Sequence, residues 1–404
     1  MERALLVYAG PLRGEDLDFY LDELRGLVHA AGAEVAGEVV QGMADADPRS
    51  YVGRGKAKEA QQDAEEFAAT LVVAAHPLSA AQQRNLEEEV RQPVVDRTAL
   101  ILDIFAQRAQ SSEGKLQVEL AQLAYWLPRL RRSAGSLSRL GGGIGTRGPG
   151  ESKIETDRRR IRTRMAEIRG RLSRVERQRA VSRAQRGDLP RIALVGYTNA
   201  GKSTLLHALT ASGGGEDQLF ATLDPTTRRM ELGGHHEVLV TDTVGFVQDL
   251  PTELVAAFRA TLEETRQADL LVHVVDASHP RWAEQERAVQ ETLEAIGAES
   301  QPVLLVYNKV DRLSPVARIE LPGLAISAQT GEGIHALREA IAQMLAARRV
   351  RRSFDVPHAR GDVLALIHSH GEVLSQRSDA EGTTIEVEIE RRWAGRIDAL
   401  LARG

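Results

Sequence analysis

The chain reads Gly196-Tyr197-Thr198-Asn199-Ala200-Gly201-Lys202-Ser203 at the place that decides its fold. This is the spacing of a phosphate-binding loop in the required context, after the apolar run 192–195 and before the helical pattern of 204–209. Glycines let successive backbone N–H groups face phosphates, while Lys202 would neutralise the β- and γ-phosphates. The Ser203 hydroxyl would ligate Mg²⁺. The stretch therefore predicts a nucleoside triphosphate site in an α/β domain.

The base that this site binds is indicated by Asn308-Lys309-Val-Asp311, which closes the apolar run 303–307. The Asp311 carboxylate can accept hydrogen bonds from N1–H and the 2-amino group of guanine. Adenine lacks both donors, so ATP would leave a buried carboxylate unpaired. We expect Asn308 to bind the base and tether the phosphate loop, and Lys309 to cover the ring. A backbone N–H from Ser327-Ala328-Gln329 would meet guanine O6, so the pattern predicts GTP.

A third segment, Asp242-Thr243-Val244-Gly245, directly follows the apolar run 238–240. Its carboxylate can hold the Mg²⁺ shell, and Gly245 can bring its N–H to the γ-phosphate. Phe246 then stands where many switch GTPases keep a water-orienting glutamine, and a phenyl ring cannot polarise water. We therefore expect slow intrinsic turnover unless a partner, a metal ion or another loop orders the nucleophile. The residues do not identify the group that activates water. Among them, Lys202 is the one expected to neutralise phosphate charge.

Between the phosphate loop and Asp242 lies Phe220-Ala221-Thr222-Leu223-Asp224-Pro-Thr226-Thr227-Arg228. One of its hydroxyls should complete the Mg²⁺ shell when the γ-phosphate is present, and the residues alone do not choose among the threonines. We expect residues 220–228 and 242–250 to become ordered around the γ-phosphate. This ordering would bias how the rest of the chain engages its partner.

The remainder of the chain divides into regions of different pattern. Residues 1–111 alternate strand-like and helix-like runs, which predicts an α/β N-terminal domain. Residues 112–188 predict a basic helical hairpin, and residues 189–350 predict the GTPase domain. The apolar runs of the latter are typical of a mostly parallel sheet. Residues 351–404 predict a small α+β appendage.

Apolar residues in residues 112–188 recur in steps of three and four on both sides of a stretch, 133–150, with seven glycines. This favours two antiparallel helices joined by a basic loop, the first kinked by Pro128 near its end. Residues 129–186 hold 18 basic and 5 acidic residues, a net charge of +13, in a chain whose total is −5. Such asymmetry favours RNA over a merely solvated face. Tyr125 and Trp126 are expected to pack beside the helical seam, so they would not offer a surface on which bases could stack. We therefore expect this segment to contact RNA phosphates rather than bases.

The composition excludes several classes of site. There is no cysteine, so disulfides, thiolate zinc sites and cysteine nucleophiles are ruled out. Near the first residue the apolar run is too short for a signal peptide, and no run approaches the roughly 18 residues of a membrane span. We expect a cytoplasmic monomer without a membrane span.

These motifs together resemble those of HflX-type GTPases, members of the Obg-like group. The resemblance covers essentially the whole chain and is carried by residues 196–203, 220–228, 242–246, Val94-Val-Asp-Arg-Thr98 and the glycine-rich run 141–153. It implies that Thr222, two positions after a phenylalanine, joins Ser203 as a Mg²⁺ ligand. It also implies K⁺ as a further cofactor, because related GTPases that lack the glutamine bind K⁺ with an asparagine at the position of Asn199.

The same resemblance implies a partner. HflX-type proteins bind the large ribosomal subunit, place the helical hairpin near the peptidyl-transferase region, and split ribosomes or keep the subunits apart under stress. Two alternatives stay open from the residues alone. One is a GTPase of ribosome assembly, and the other is a nucleotide-gated RNA-binding scaffold with negligible turnover.

Overall fold

The computed structural model describes most of the chain, and its described part contains three β-sheets and a helical hairpin. The motif residues Ala221 and Thr222 and the hairpin loop 131–148 lie outside it. The described ranges are 2–11, 14–130, 149–185, 189–210, 220, 223–232, 237–247, 259–347 and 349–402.

The N-terminal domain is built on a four-stranded parallel sheet of order β2-β1-β3-β4 with helices between the strands, which confirms the predicted α/β organisation. Strand β1 is apolar on both faces and buried from Ala4 onward, as parallel strands covered by helices require. The elements are β1 (Arg3–Gly10), α1 (Gly14–Ala30), β2 (Glu34–Gly42), α2 (Arg54–Glu66), β3 (Leu71–Ala74), α3 (Ala80–Val90), β4 (Val94–Asp96) and α4 (Arg97–Arg108).

The predicted hairpin consists of α5 (Ser112–Trp126) and α6 (Pro149–Gln185), which confirms the two antiparallel helices. Pro128 lies in a 3₁₀ turn after α5, so it ends the helix rather than kinking it. Pro149 opens α6, a position that needs no backbone N–H. The expected heptad seam is present, and its buried members are Leu116, Leu120, Met165 and Ile168.

The two aromatic residues of α5 differ from the expectation that both pack beside the seam. Tyr125 is buried, but its hydroxyl donates to Asp96 Oδ1 at 3.0 Å, so it packs against the N-terminal domain. Trp126 is 48% exposed. The Arg129 guanidinium lies over the Tyr125 ring and donates to the carbonyl of Leu78 at 2.6 Å. This buried network joins the end of α5 firmly to the N-terminal sheet.

The GTPase domain holds a six-stranded sheet of order β10-β9-β8-β5-β7-β6, parallel except for β6. Strand β5 is central, so the loop that follows it emerges between two neighbours, β7 and β8, as in doubly wound folds. The elements are β5 (Arg191–Val195), α7 (Lys202–Thr210), β6 (Thr226–Glu231), β7 (Glu237–Asp242), α8 (Arg259–Arg266), β8 (Leu270–Asp276), α9 (Trp282–Ala295), β9 (Val303–Asn308), α10 (Pro315–Ile319), β10 (Leu324–Ala325) and α11 (Ile334–Ala346).

The C-terminal appendage is an antiparallel sheet of order β11-β13-β12 with two helices, which confirms the α+β prediction. Its core is apolar and separate from the others, with Phe354, Ile367 and Ile389 among its buried residues. None of the described helices in the whole chain is both long and apolar enough to cross a membrane. The elements are β11 (Arg349–Pro357), α12 (Gly361–His370), β12 (Gly371–Ser378), β13 (Gly382–Glu390) and α13 (Arg391–Leu401).

The hairpin seam makes a first prediction. Ile168 is fully buried between α5 and α6, so Ile168→Ala should cost about 2–4 kcal/mol through the cavity it leaves. Faster hydrogen exchange at the amides of both helices would report this loss. Arg171→Ala, exposed on the same helix, should change stability by less than about 0.5 kcal/mol. Equal hydrogen exchange in the two variants would contradict the packing of Ile168 between α5 and α6.

Candidate nucleotide-binding site

The phosphate loop connects β5 to α7, and its two glycines are dictated by neighbouring strands. Gly196 has φ +154°, and a Cβ there would lie 2.2 Å from the carbonyl oxygen of Val274 on β8. Gly201 has φ +92°, and a Cβ there would lie 2.3 Å from Asn308 Nδ2 on β9. Any side chain at either position would meet these atoms, so the glycine spacing follows from the sheet as well as from the loop.

Lys202 begins α7 and lies inside the loop. Its Nζ donates to the carbonyls of Gly196 at 3.1 Å and Tyr197 at 2.9 Å. Burial lowers the pKa of Lys202 to about 8, with Lys309 adding to the decrease and Asp242 opposing it. A Cβ on Gly245 would lie 3.2 Å from this Nζ, so the glycine lets the 242–245 segment close over the lysine. The structure thus brings the first and third motifs together.

The residues expected to hold Mg²⁺ present oxygen donors side by side. Ser203 Oγ donates to Asp242 Oδ2 at 2.7 Å, so a hydroxyl and a carboxylate, oxygen donors that Mg²⁺ prefers, already lie side by side. Thr226 and Thr227 belong to β6, where Thr227 Oγ1 lies 2.9 Å from Thr241 Oγ1. The described donor set fits Mg²⁺.

The base loop is tied to the phosphate loop through one side chain. Asn308 Nδ2 donates to the carbonyl of Ala200 at 2.9 Å, and its Oδ1 accepts from the Ala328 N–H at 2.9 Å. Lys309 adopts the left-handed conformation at φ +64°, and its Nζ pairs with Asp276 Oδ2 at 2.7 Å. Asp311 follows in a short 3₁₀ turn, Val310–Arg312.

The two segments after β9 and β10 meet the phosphate loop at the same edge of the sheet. Ser327 is fully buried, its N–H donates to the carbonyl of Glu332, and its Oγ accepts from the Thr330 N–H. Gln329 is exposed at the rim. The predicted base-binding residues are therefore brought together by the carboxyl ends of β9 and β10.

Phe246 is a structural link between the motifs. Its N–H donates to the Gly196 carbonyl at 3.1 Å, and its own carbonyl accepts from the Thr198 N–H at 2.7 Å. The ring is 2% exposed and packs in a cluster with Tyr197, Val195 and Phe19. Since the side chain is buried in this cluster, it fixes the phosphate loop and leaves no group there to orient water.

The N-terminal domain reaches the phosphate loop directly, which the sequence did not predict. The Tyr197 hydroxyl donates to Glu23 Oε1 at 3.0 Å, and the same oxygen accepts from Arg97 at 2.7 Å. Glu23 and Arg97 are both buried. The sequence did mark Arg97, because it belongs to the run Val94–Thr98 that supported the resemblance to HflX-type GTPases. No role was assigned to that run from the sequence. That run supplies Asp96 to the hairpin network and Arg97 to the phosphate loop.

Three described residues of 220–228 contact the N-terminal domain and the start of α5. Phe220 is buried and its ring meets Phe105 edge-on at 4.7 Å, while its N–H donates to Thr198 Oγ1 at 3.1 Å. Leu223 is 3% exposed in the core of the N-terminal domain. Asp224 accepts hydrogen bonds at the start of α5. The side chains of these three residues, which were predicted to contact the nucleotide, therefore lie against the N-terminal core and the start of α5, while Ala221 and Thr222 lie outside the described residues.

A phosphate loop after the central strand, an aspartate beside its serine and an asparagine-tethered base loop define a P-loop GTPase. Three family models match the chain: "GTP-binding GTPase N-terminal" over residues 18–106, "GTP-binding GTPase Middle Region" over 108–186 and "50S ribosome-binding GTPase" over 191–309.

Similar full-length relatives support this assignment. The GTPase HflX of Caldanaerobacter subterraneus subsp. tengcongensis is 45% identical over 96% of this chain and 91% of its own length. That of Alkalihalophilus pseudofirmus is 47% identical over 93% and 90%, and that of Escherichia coli is 47% identical over 89% and 87%. The chain therefore belongs to the HflX family of GTPases. This confirms the sequence-based resemblance to HflX-type GTPases and the expected GTPase activity.

His273 makes a prediction about pH. It lies in β8, 4% exposed, and burial followed by the charge of Lys202 lowers its pKa to about 4. An unfolded histidine has a pKa of about 6.5, so the unfolded state binds the proton more tightly than the folded state. The stabilising contribution of a neutral His273 should therefore be complete above this pH. The free energy of unfolding should fall by about 2 kcal/mol between pH 8 and pH 5.

Urea unfolding of wild type and His273→Leu at both pH values would measure this contribution. Leucine is close in volume and does not titrate, so the variant should lose about 2 kcal/mol less than wild type on acidification. Every other titrating group is common to both proteins. The same pH dependence in both would contradict the assignment.

Proposed function

We propose that this GTPase uses its nucleotide state to control how its basic hairpin binds the large ribosomal subunit, and that it splits ribosomes or keeps the subunits apart under stress. It would act in the cytoplasm as a monomer. The observation that supports this most is the arginine-rich surface of α6. Exposed arginines along it include Arg159, Arg162, Arg169, Arg171, Arg174 and Arg177.

The charge on this helix is mostly uncompensated. Arg164 forms a bidentate pair with Glu119 of α5, at 2.7 and 2.9 Å, and so fastens the two helices together. The neighbouring arginines point to solvent, where a phosphate backbone can reach them. One of the matching family models carries a description that includes ribosome binding. A positively charged rod with few acidic residues suits a folded RNA recognised by shape.

The proposal includes the contacts that each motif makes with GTP and Mg²⁺. Lys202 and the loop N–H groups hold the phosphates, and Asp311 with Ala328 reads guanine. Ser203 and Thr222 hold Mg²⁺ with Asp242 beside them, and Thr222 is the one member outside the described residues. When bound, Mg²⁺ supplies positive charge to the β- and γ-phosphates.

Hydrolysis is proposed to be slow without a partner, because Phe246 is buried beside Tyr197 and its ring cannot orient water. We also propose K⁺ stimulation through Asn199, which is exposed on the loop at φ +60°. Asparagine tolerates this left-handed conformation, so backbone geometry gives a second reason for the residue. Equal rates of GTP hydrolysis in Na⁺ and K⁺ would exclude stimulation by K⁺.

The buried Phe246 also favours a second candidate, a nucleotide-gated RNA-binding scaffold with negligible turnover. Single-turnover GTP hydrolysis with and without 50S subunits separates the two, since stimulation by the subunit is expected only for the first. Sucrose gradients of 70S ribosomes with the protein and GTP or a non-hydrolysable analogue test splitting. Intact 70S particles throughout would contradict it.

The base assignment predicts a change of specificity. In Asp311→Asn the carboxylate that accepts two guanine donors becomes an amide, and GTP affinity should fall at least about 100-fold. Xanthine carries a carbonyl in place of the 2-amino group, so xanthosine triphosphate should bind the variant better than GTP. Equilibrium binding of both nucleotides measures this, with Arg312→Gln in the same turn as the control. Unchanged preference for GTP would contradict the role of Asp311.

The RNA assignment predicts a change of salt dependence. Replacing Arg169, Arg171 and Arg174 by glutamine should lower the slope of log affinity for 50S subunits against log salt by up to about 2–3, because each lost phosphate contact removes about 0.7–0.9. The matched control replaces Arg352, Arg377 and Arg396, which are exposed on the appendage. Equal slopes for the two triple variants would show that α6 does not meet the RNA.

A further inference from the structure

We propose that Glu23 of α1 is a positioning residue for nucleotide binding: it holds Tyr197 of the phosphate loop so that Lys202 is presented to the phosphates. Glu23 acts through the Tyr197 hydroxyl and does not itself contact the nucleotide. This role rests on the proposed function, because it requires that residues 196–203 bind the phosphates of GTP. The N-terminal domain then contributes to the nucleotide affinity of the GTPase domain.

The contact is a buried hydrogen bond to a carboxylate that has a second, charged partner. The Tyr197 hydroxyl donates to Glu23 Oε1 at 3.0 Å, and Tyr197 is 4% exposed. Arg97, the first residue of α4, donates to the same oxygen at 2.7 Å, and the side chains of Glu23 and Arg97 are both buried. A carboxylate in the interior needs such a partner of opposite charge. Glu23 is therefore tied to α4 as well as to the phosphate loop.

A second residue of α1 fixes the helix against the same part of the GTPase domain. Phe19 lies four positions before Glu23, so the two side chains share one face of the helix. The Phe19 ring is 7% exposed and packs in the cluster that contains Tyr197 and Phe246. The guanidinium carbon of Arg281 lies 4.6 Å from the centroid of this ring. Because this packing holds α1, the Glu23 carboxylate can set the position of the hydroxyl that donates to it.

The backbone of Tyr197 connects this hydroxyl to the phosphate-binding lysine. The Tyr197 carbonyl accepts from Lys202 Nζ at 2.9 Å and from the Ala200 N–H at 3.2 Å. The peptide groups on both sides of Tyr197 are hydrogen-bonded to the backbone of Phe246. A residue that is held at its hydroxyl and at both peptide groups has a fixed carbonyl. This carbonyl in turn fixes the ammonium group of Lys202.

A loop held in this way has less freedom to lose when it binds phosphates. Gly196 and Gly201 give the loop backbone a wide choice of conformations, and ordering such a backbone opposes binding. The hydrogen bond between Tyr197 and Glu23 is already made in the folded protein, so the nucleotide does not have to supply that part of the ordering. Since Lys202 is expected to meet the β-phosphate, loss of the hydrogen bond should weaken the binding of GDP and GTP alike.

Tyr197→Phe tests the contact with the smallest change, because it removes the hydroxyl and keeps both the ring and the pair of Glu23 with Arg97. We expect the dissociation constants of GDP and of a non-hydrolysable GTP analogue to rise by roughly five- to tenfold. Isothermal titration calorimetry on the full-length protein with Mg²⁺ measures both. The matched control is Tyr307→Phe, which removes another tyrosine hydroxyl of the same domain, one that donates to Glu286 at 2.9 Å. This control should bind both nucleotides as wild type does, and unchanged binding in Tyr197→Phe would overturn the proposal.

A double-mutant cycle shows whether Glu23 acts through Tyr197. Glu23→Gln alone should raise both dissociation constants, because a neutral amide oxygen is a weaker acceptor than a carboxylate. In the Tyr197→Phe background the same substitution should have no further effect, since the hydroxyl is already absent. Equal effects in the two backgrounds would overturn the proposal. If loss of the charge opposite Arg97 prevents folding of Glu23→Gln, Glu23→Asp takes its place in the cycle, because it keeps the charge and withdraws the oxygen from the hydroxyl.

Phosphorus NMR of bound GDP gives a readout that a loss of stability alone would not move. At saturating GDP the resonance of the β-phosphate should shift in Tyr197→Phe and Glu23→Gln, because the Lys202 ammonium lies differently against this phosphate. It should match wild type in Tyr307→Phe. Weaker binding with an unshifted resonance would show that the contact only stabilises the fold, and would overturn the positioning role.

Lys202→Ala distinguishes failure of this role from failure of the proposed nucleotide contacts. If Lys202→Ala binds GDP as tightly as wild type, residues 196–203 do not bind the phosphates and the proposed contacts fail. If Lys202→Ala loses affinity while Tyr197→Phe does not, the proposed contacts stand and the positioning role of Glu23 alone is overturned. None of these measurements involves the ribosome.

Discussion

The constraint on which the rest of the structure depends is a hydrophobic core shared by two motif segments of the GTPase domain and the N-terminal domain. Phe220, Leu223, Val244 and Val247 are buried in the same cluster as the helices α1, α4 and α5. In an isolated GTPase domain these side chains would be exposed, at a cost of about 1.5–3 kcal/mol for each large one. The N-terminal domain therefore covers apolar side chains of the GTPase domain that would otherwise face solvent, and it packs directly against the residues that flank the phosphate loop and the aspartate motif.

Local motifs could be predicted because their chemistry is contained in a few consecutive residues. The glycine spacing of the phosphate loop, the aspartate after β7 and the asparagine after β9 each lie at a strand end, and parallel strands bring their carboxyl ends to one edge. The hairpin was predictable for the same reason, since heptad spacing states which side chains face each other. The two mostly parallel sheets also followed from runs of apolar residues.

Contacts between distant segments could not be predicted. Nothing local in Glu23 indicates that it meets Tyr197, which lies 174 positions away, and nothing in Asp224 indicates Ser111. Asp224 sits in a motif beside a proposed metal ligand, so its sequence position favoured the nucleotide, whereas the packing of Leu223 beside it turns the segment toward α5. Trp126 was also expected to be packed, because its position along the sequence lies beside the helical seam. Its neighbour Tyr125 takes the buried position and leaves the tryptophan exposed.

The buried Phe246 and the shared core together explain why this arrangement suits a switch that waits for a partner. A glutamine at 246 would have to leave the cluster around Tyr197 to reach a water, and the phosphate loop would lose the ring that packs beneath it. The chain instead keeps a rigid loop without a water-orienting group at that position. Turnover is then expected to depend on an outside group, and the proposed RNA-binding surface of α6 is the part of the molecule through which such a partner would be brought to the site.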